Sequence, residues 1–255
     1  MCTLTFAWQV LDTPLAVAAN RDEALARPSA PPEVFGDSPR IIAPRDEEAG
    51  GTWQGYNDSN LFVALTNRWT EREGSRSRGL LVRDALSYGS AREVLAYVRE
   101  ELRERAYEPF HLLAVDTEDA LLVEWDGDLT VHELAPGTYV VVNVGWVGET
   151  VGPADAAAPQ RIESVFVPGR RPEVGEGQAA NARKVLDALV AEPGEGWQSW
   201  TDRAGTVLGD HDYGVCLHGD GFGTKSSSLI VPGEWYGFAD GPPCETPYES
   251  VEGEV

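Results

Sequence analysis

Residues 3 to 10, TLTFAWQV, alternate along their length: Leu4, Phe6, Trp8 and Val10 fall on one side, Thr3, Thr5, Ala7 and Gln9 on the other. A period of two predicts a β-strand. The turn-forming LDTP follows and LAVAAN resumes as a second strand, which predicts an antiparallel hairpin. A tight turn makes paired residue numbers sum to about 25, so position 2 should lie opposite position 23, within one residue. Cys2 and the polar run Asn20-Arg21-Asp22-Glu23 would then meet at one end of the hairpin.

A second hairpin is predicted from GTWQGYN and LFVALTN, joined by Asp58, Ser59 and Asn60. Helices come next. SAREVLAYVREELRERA opens with a capping box, Ser90 with Glu93, and carries Val94, Leu95, Val98 and Leu102 at helical spacing, after a shorter helix near Leu80 to Leu86. FHLLAVD, ALLVEWDG, LTVHELA and TYVVVNV then read as four strands with tight connections. Two helices are expected near Pro159 to Phe166 and Ala182 to Val190, with VPGRRPEVGEGQ (167–178) as a surface loop. DYGVCLHG, SSSLIVP and EWYGFAD finish as strands, before a loose acidic tail from Gly241. The connections between strands are mostly too short for parallel crossovers, so the sheets should be mainly antiparallel, and two stacked sheets with helices outside satisfy the order. One α+β domain over residues 1–240, with the tail at 241–255, is the expected organisation.

Charge narrows the partners. The 255 residues carry 42 Asp and Glu against 20 Lys and Arg, a net charge of −22, and the basic set holds only two lysines, Lys184 and Lys225. Such a surface repels phosphate and anionic lipid, so neither nucleic acid nor a membrane is an expected partner; a small molecule is. Self-repulsion on this scale suits concentrated salt, where screening is short-ranged, and we read a salt-loving source. With 3 cysteines the chain has no disulfide framework. We expect a reducing, cytoplasmic setting, with neither signal peptide nor membrane span.

The cysteine that changes the picture is Cys2. Removal of Met1 would leave one residue bearing both a thiol and an α-amine. An amine with a pKa of about 7.7 to 8.0 can take the thiol proton near neutrality, and the thiolate can then attack a carbonyl. Asn67 and Asn143, near strand ends, are candidate donors to a developing oxyanion, although asparagine at such positions also forms turns. Arg21 and Asp22 could form an ion pair beside the thiol or simply mark where the second strand reaches water. His211, Cys216 and His218 stand close enough in sequence to suggest a metal site, yet their spacing matches no zinc pattern and a fourth ligand is missing. We therefore expect no metal and no cofactor, with Cys216 a small buried hydrophobe. GDGFGT opens no helix and reads as a hairpin turn rather than a phosphate loop.

The Met-Cys start, NRDE at 20–23, GGTWQGYNDSNLFVALTN at 50–67 and GFGTKSSSLIV at 221–231 together resemble the NRDE, or transport-and-Golgi-organisation, family. The resemblance implies an N-terminal-nucleophile hydrolase fold, a four-layer αββα sandwich of two mainly antiparallel sheets, akin to cysteine amidohydrolases such as penicillin V acylase and bile salt hydrolase. By motif position it makes Cys2 the nucleophile, places Arg21 and Asp22 beside it, and gives Asn67 and Asn143 to the oxyanion hole. Around Asn143 this chain reads VVNVGWVGETVG where relatives usually show Ser-Asn, an Asp and Pro-Trp, and Lys225 stands where arginine is usual. The resemblance leaves two functions open. One is hydrolysis of a linear amide or related acyl bond of a small molecule. The other is binding without turnover, since animal relatives are linked to secretory organisation, haem handling and lipid metabolism.

Overall fold

In the computed structural model, which describes residues 2–151 and 159–253, β1 (Cys2–Trp8) and β2 (Leu15–Ala24) form the predicted antiparallel hairpin. The register differs from the expected one: Cys2 pairs with Arg21. The strand stops at Trp8 because Gln9 turns into the left-handed region (φ 54°) and its N–H donates to Pro14 O at 2.8 Å, which leaves Val10 in the loop. A slip of two residues keeps every side chain on its face, so Cys2 still ends up beside the NRDE run.

The chain continues through β3 (Ser29–Phe35), β4 (Ile41–Asp46), β5 (Gln54–Asn57), β6 (Phe62–Asn67), α1 (Arg78–Ala85), α2 (Ala91–Glu104), β7 (Phe110–Val115), β8 (Ala120–Trp125) and β9 (Leu129–Glu133). These strands form one sheet in sequential order, each pairing antiparallel with the next. Residues 26–134 make up most of one compact unit. Its core joins Val82, Leu86, Val94 and Val98 of the helical segment to Leu61, Val63, Phe110 and Leu112 of the sheet. Ser90 caps α2 as predicted, its Oγ accepting from Glu93 N at 3.3 Å, but the Glu93 carboxylate reaches one residue past the expected box, to Gly89 N at 2.8 Å. β3 and β4 are additions to the sequence reading.

After β9 come β10 (Gly137–Val142), β11 (Gly145–Thr150), β12 (Gln160–Val165), α3 (Pro172–Leu189), α4 (Trp197–Gly209), β13 (Phe222–Val231), β14 (Trp235–Ala239) and β15 (Glu249–Ser250). The second sheet runs β12-β11-β10-β1-β2-β13-β14-β15. Residues up to Leu25, Ala135–Val231 and Tyr236–Glu249 make up the other unit. Within it α3 packs on β10 and β11, and α4 on β2 and β13, burying Ala182, Val185, Leu189, Trp200, Ala204 and Leu208. The molecule is thus α+β, with two antiparallel sheets and four α-helices among the described residues.

Several local expectations are corrected. The segment expected as a helix near Pro159 to Phe166 is the outermost strand β12, and α3 begins at Pro172 inside the stretch expected to be a loop. Proline suits that first helical position because the N–H it lacks has no partner there. α4 is a further addition to the sequence reading. DYGVCLHG is not a strand: a 3₁₀ turn at His211–Tyr213 leads into irregular backbone with a single bridge, His218 to Gly223. No helix among the described residues is long and apolar enough to cross a membrane.

Candidate active site

Cys2 is the first residue of β1, a strand flanked by β2 on one side and β10 on the other. β10 and β11 are joined by a two-residue turn, Asn143-Val144, with Val142 paired to Gly145. Asn143 is therefore a turn residue, yet its side chain is buried and looks back to Cys2. The backbone N–H of Cys2 donates to Asn143 Oδ1 at 3.1 Å. Gln178 Nε2, from the buried face of α3, donates to the same oxygen at 2.9 Å. An amide oxygen that accepts two such bonds cannot rotate without losing both, so the nitrogen of Cys2 has a defined neighbour.

On the other flank, Cys2 Sγ lies 3.9 Å from Asp22 O. The Asp22 side chain is 5% exposed and its Oδ1 accepts from Thr224 Oγ1 at 2.6 Å. Thr224 sits where the β2–β13 register shifts before Ser226; a bulge at that point re-aims the side chain. Thr224 is fixed in turn, its Oγ1 accepting from Leu217 N at 2.8 Å. Burial pushes the Asp22 carboxyl up to about 7, against the stabilising bond from Thr224. Burial likewise raises the Cys2 thiol, and the neighbouring Asp22 charge adds to that. At neutral pH the resting sulfur is therefore a thiol, and a base must take its proton before it can attack.

Arg21 is 7% exposed, opposite Cys2 across the hairpin, and its guanidinium lies 3.9 Å from Glu23. Positions 21 and 23 share one face of the strand and position 22 the other, so Arg21 draws its acid from two residues on while Asp22 finds Thr224. Four of the five residues expected from the sequence, Cys2, Arg21, Asp22 and Asn143, thus meet in one unit. Asn67 closes β6 in the other unit, opposite Phe110, with its side chain exposed. Sequence reasoning does not find Gln178 and Thr224. Nothing local marks them, since Gln178 reads as an ordinary polar residue and Thr224 as one hydroxyl in TKSSS.

Comparison with known proteins identifies the family and the fold. Residues 1–164 match the model of a family described as Transport and Golgi organisation 2. The chain belongs to that family. A bovine (Bos taurus) Transport and Golgi organization protein 2 homolog is 34% identical over 140 residues, 51% of this chain and 50% of its own length; the mouse (Mus musculus) homolog is 35% identical over a stretch of the same length. The chain spans about half the length of these curated relatives. The Transport and Golgi organisation 2 match contains Cys2, Arg21, Asp22, Asn67 and Asn143, whereas Gln178 and Thr224 lie beyond it.

Among solved structures, a variant of conjugated bile acid hydrolase from Clostridium perfringens superposes with a TM-score of 0.58 at 11% identity, covering 98% of this chain and 92% of that one. Penicillin V acylase from Agrobacterium tumefaciens gives 0.52 at 13% identity, covering 94% and 83%. Likeness at such low identity speaks for the fold, which is the N-terminal-nucleophile hydrolase type that the resemblance implied.

Proposed function

We propose that this member of the family is a cysteine N-terminal-nucleophile hydrolase acting on a linear amide or related acyl bond of a small molecule. The observation that carries the reading is the placement of Cys2 N, 3.1 Å from an Asn143 oxygen that Gln178 also holds. Once Met1 is removed, that nitrogen becomes an amine whose N–H points at Asn143, leaving its lone pair for the thiol proton. Asp22 and Arg21 supply the charge around the pair. The thiolate adds to the acyl carbon, the C–N bond breaks as the amine group leaves with the relayed proton, and water then releases the acid from the thioester. Asn143, with its oxygen committed to Cys2 and Gln178, offers its amide NH₂ to the developing oxyanion.

The solved neighbours' names, an acylase and a conjugated bile acid hydrolase, support a C–N bond as the target. The fold alone would not, since one fold hosts many functions. The strong negative charge favours a small substrate over a polyanion, and free cysteines suit a reducing setting such as the cytoplasm.

Intact-mass measurement of the protein from its native host, before and after an electrophilic acyl probe, tests the reading. We expect loss of the first methionine and a single adduct on Cys2 that is absent from Cys2→Ala. Retention of Met1, or labelling that survives Cys2→Ala, refutes it. Undiminished binding of an acyl ligand by Cys2→Ala, with no turnover by the parent, would instead establish a carrier.

A further inference from the structure

Away from Cys2, the unit that carries it gathers a second set of reactive side chains. The ligand atoms of His211, Cys216, His218 and Cys244 all lie within 4.8 Å of one another. Cys216 Sγ and Cys244 Sγ are 3.5 Å apart, His218 Nε2 is 3.1 Å from Cys244 Sγ and 3.9 Å from Cys216 Sγ, and the His211 and His218 rings meet edge to face at 5.2 Å. Two of the chain's 3 cysteines and two of its 4 histidines are therefore in one cluster. The sequence places three of these residues close together and no fourth beside them; Cys244, 26 residues beyond His218, supplies it.

We propose that these four side chains form a tetrahedral Cys₂His₂ zinc site. With Zn–S near 2.3 Å and Zn–N near 2.0–2.1 Å, a tetrahedron sets ligand atoms about 3.3–3.8 Å apart, which the measured separations bracket. Two thiolates and two imidazoles are soft to borderline donors that suit zinc and exclude magnesium or calcium. Binding replaces two S–H bonds by two Zn–S bonds and releases both protons to solvent, so the loaded centre is neutral. Four protein ligands leave no open position, which makes the site structural.

Its place in the fold suggests what it steadies. Leu217, between two of the ligands, donates its N–H to Thr224 Oγ1, and Thr224 donates to Asp22 Oδ1. The zinc ties the segment at 211–218 to the one at 244, and so holds the support of the Asp22 carboxylate from behind. That consequence rests on the proposed hydrolase reading; the metal site itself does not.

The test is zinc content and cobalt spectroscopy of untagged full-length protein purified under reducing conditions. We expect stoichiometric zinc, and, after replacement by Co²⁺, the intense visible bands of tetrahedral cobalt with thiolate-to-metal charge transfer in the near ultraviolet. Cys244→Ser and His218→Ala should lose the metal on chelation that the parent resists, while Cys2→Ala should keep it, which separates this proposal from the one for Cys2. A weak octahedral cobalt spectrum, or a Cys216–Cys244 disulfide in the reduced-purified protein, overturns the site even if the variants fail to fold.

Discussion

Asp22 is buried with a hydroxyl donor, Thr224, and no more than 5% of it is exposed, so its charge is held at a cost. Its carboxyl is pushed up to about 7 from 3.8, which means the folded state binds this proton more tightly than the unfolded state does. The contribution to stability is accordingly complete below about pH 4, falls at up to about 1.4 kcal/mol per pH unit between the two values, and is fully lost above 7. Asp22→Asn keeps an Oδ1 for Thr224 and removes the charge. We expect its urea midpoint to exceed the parent's at pH 8 by an amount worth a few kcal/mol, with the gap closing toward pH 4. A variant no more stable than the parent at pH 8 would mean that burial does not dominate this site. Such a residue, costly where it stands, is one that stability alone would not retain.

At the scale of elements, the site depends on the β10–β11 turn that delivers Asn143. Gly145, which follows that turn, has φ 128°, and a Cβ there would lie 1.9 Å from Ser164 O and 2.8 Å from Val165 Cα, both backbone atoms of β12. Backbone cannot step aside as a side chain can. Gly145→Ala should therefore cost several kcal/mol and lower Tm by about 10 °C or more, whereas Gly177→Ala on exposed α3, with nothing within 4 Å, should be neutral or stabilise by up to about 1 kcal/mol. Matching thermal melts for the two would show that the hairpin is drawn wrongly. Elements with a strong local period were legible in the sequence: β1, β2, β5 to β10 and the capped α2. Those without one were not. β3 contains two prolines, β12 is a mostly exposed outer strand whose short polar run carries no clear period, and α3 begins among Gly, Glu and Pro that locally favour a loop. The site divides the same way. Cys2, Arg21, Asp22 and Asn143 stand out by type and position, but Thr224 reaches Asp22 across 202 residues and Gln178 reaches Asn143 across 35, separations that only the folded register closes.

Across the whole molecule, the surplus of 22 negative charges outweighs any single interaction. Many arginines are already paired, as in Arg92 with Asp119 and Glu133 or Arg161 with Glu149 and Asp187, but these pairs are exposed and exposed pairs are worth about 0–1 kcal/mol each. Salt weakens those attractions and the general repulsion together, and with acids outnumbering bases by 42 to 20 the repulsion is the larger quantity. Screening shortens from about 10 Å at 0.1 M to about 3 Å at 1 M, so most of the relief should come within that range. We expect Tm to climb steeply from about 0.1 to 1 M KCl and then flatten, as screening saturates. Sucrose at matched water activity, which favours compact states without screening, should raise it less and without that break. A Tm that falls with KCl, or that rises equally with sucrose, would mean that the ion pairs or general solvent exclusion govern stability, and the reading of the surface as adapted to salt would fail with it.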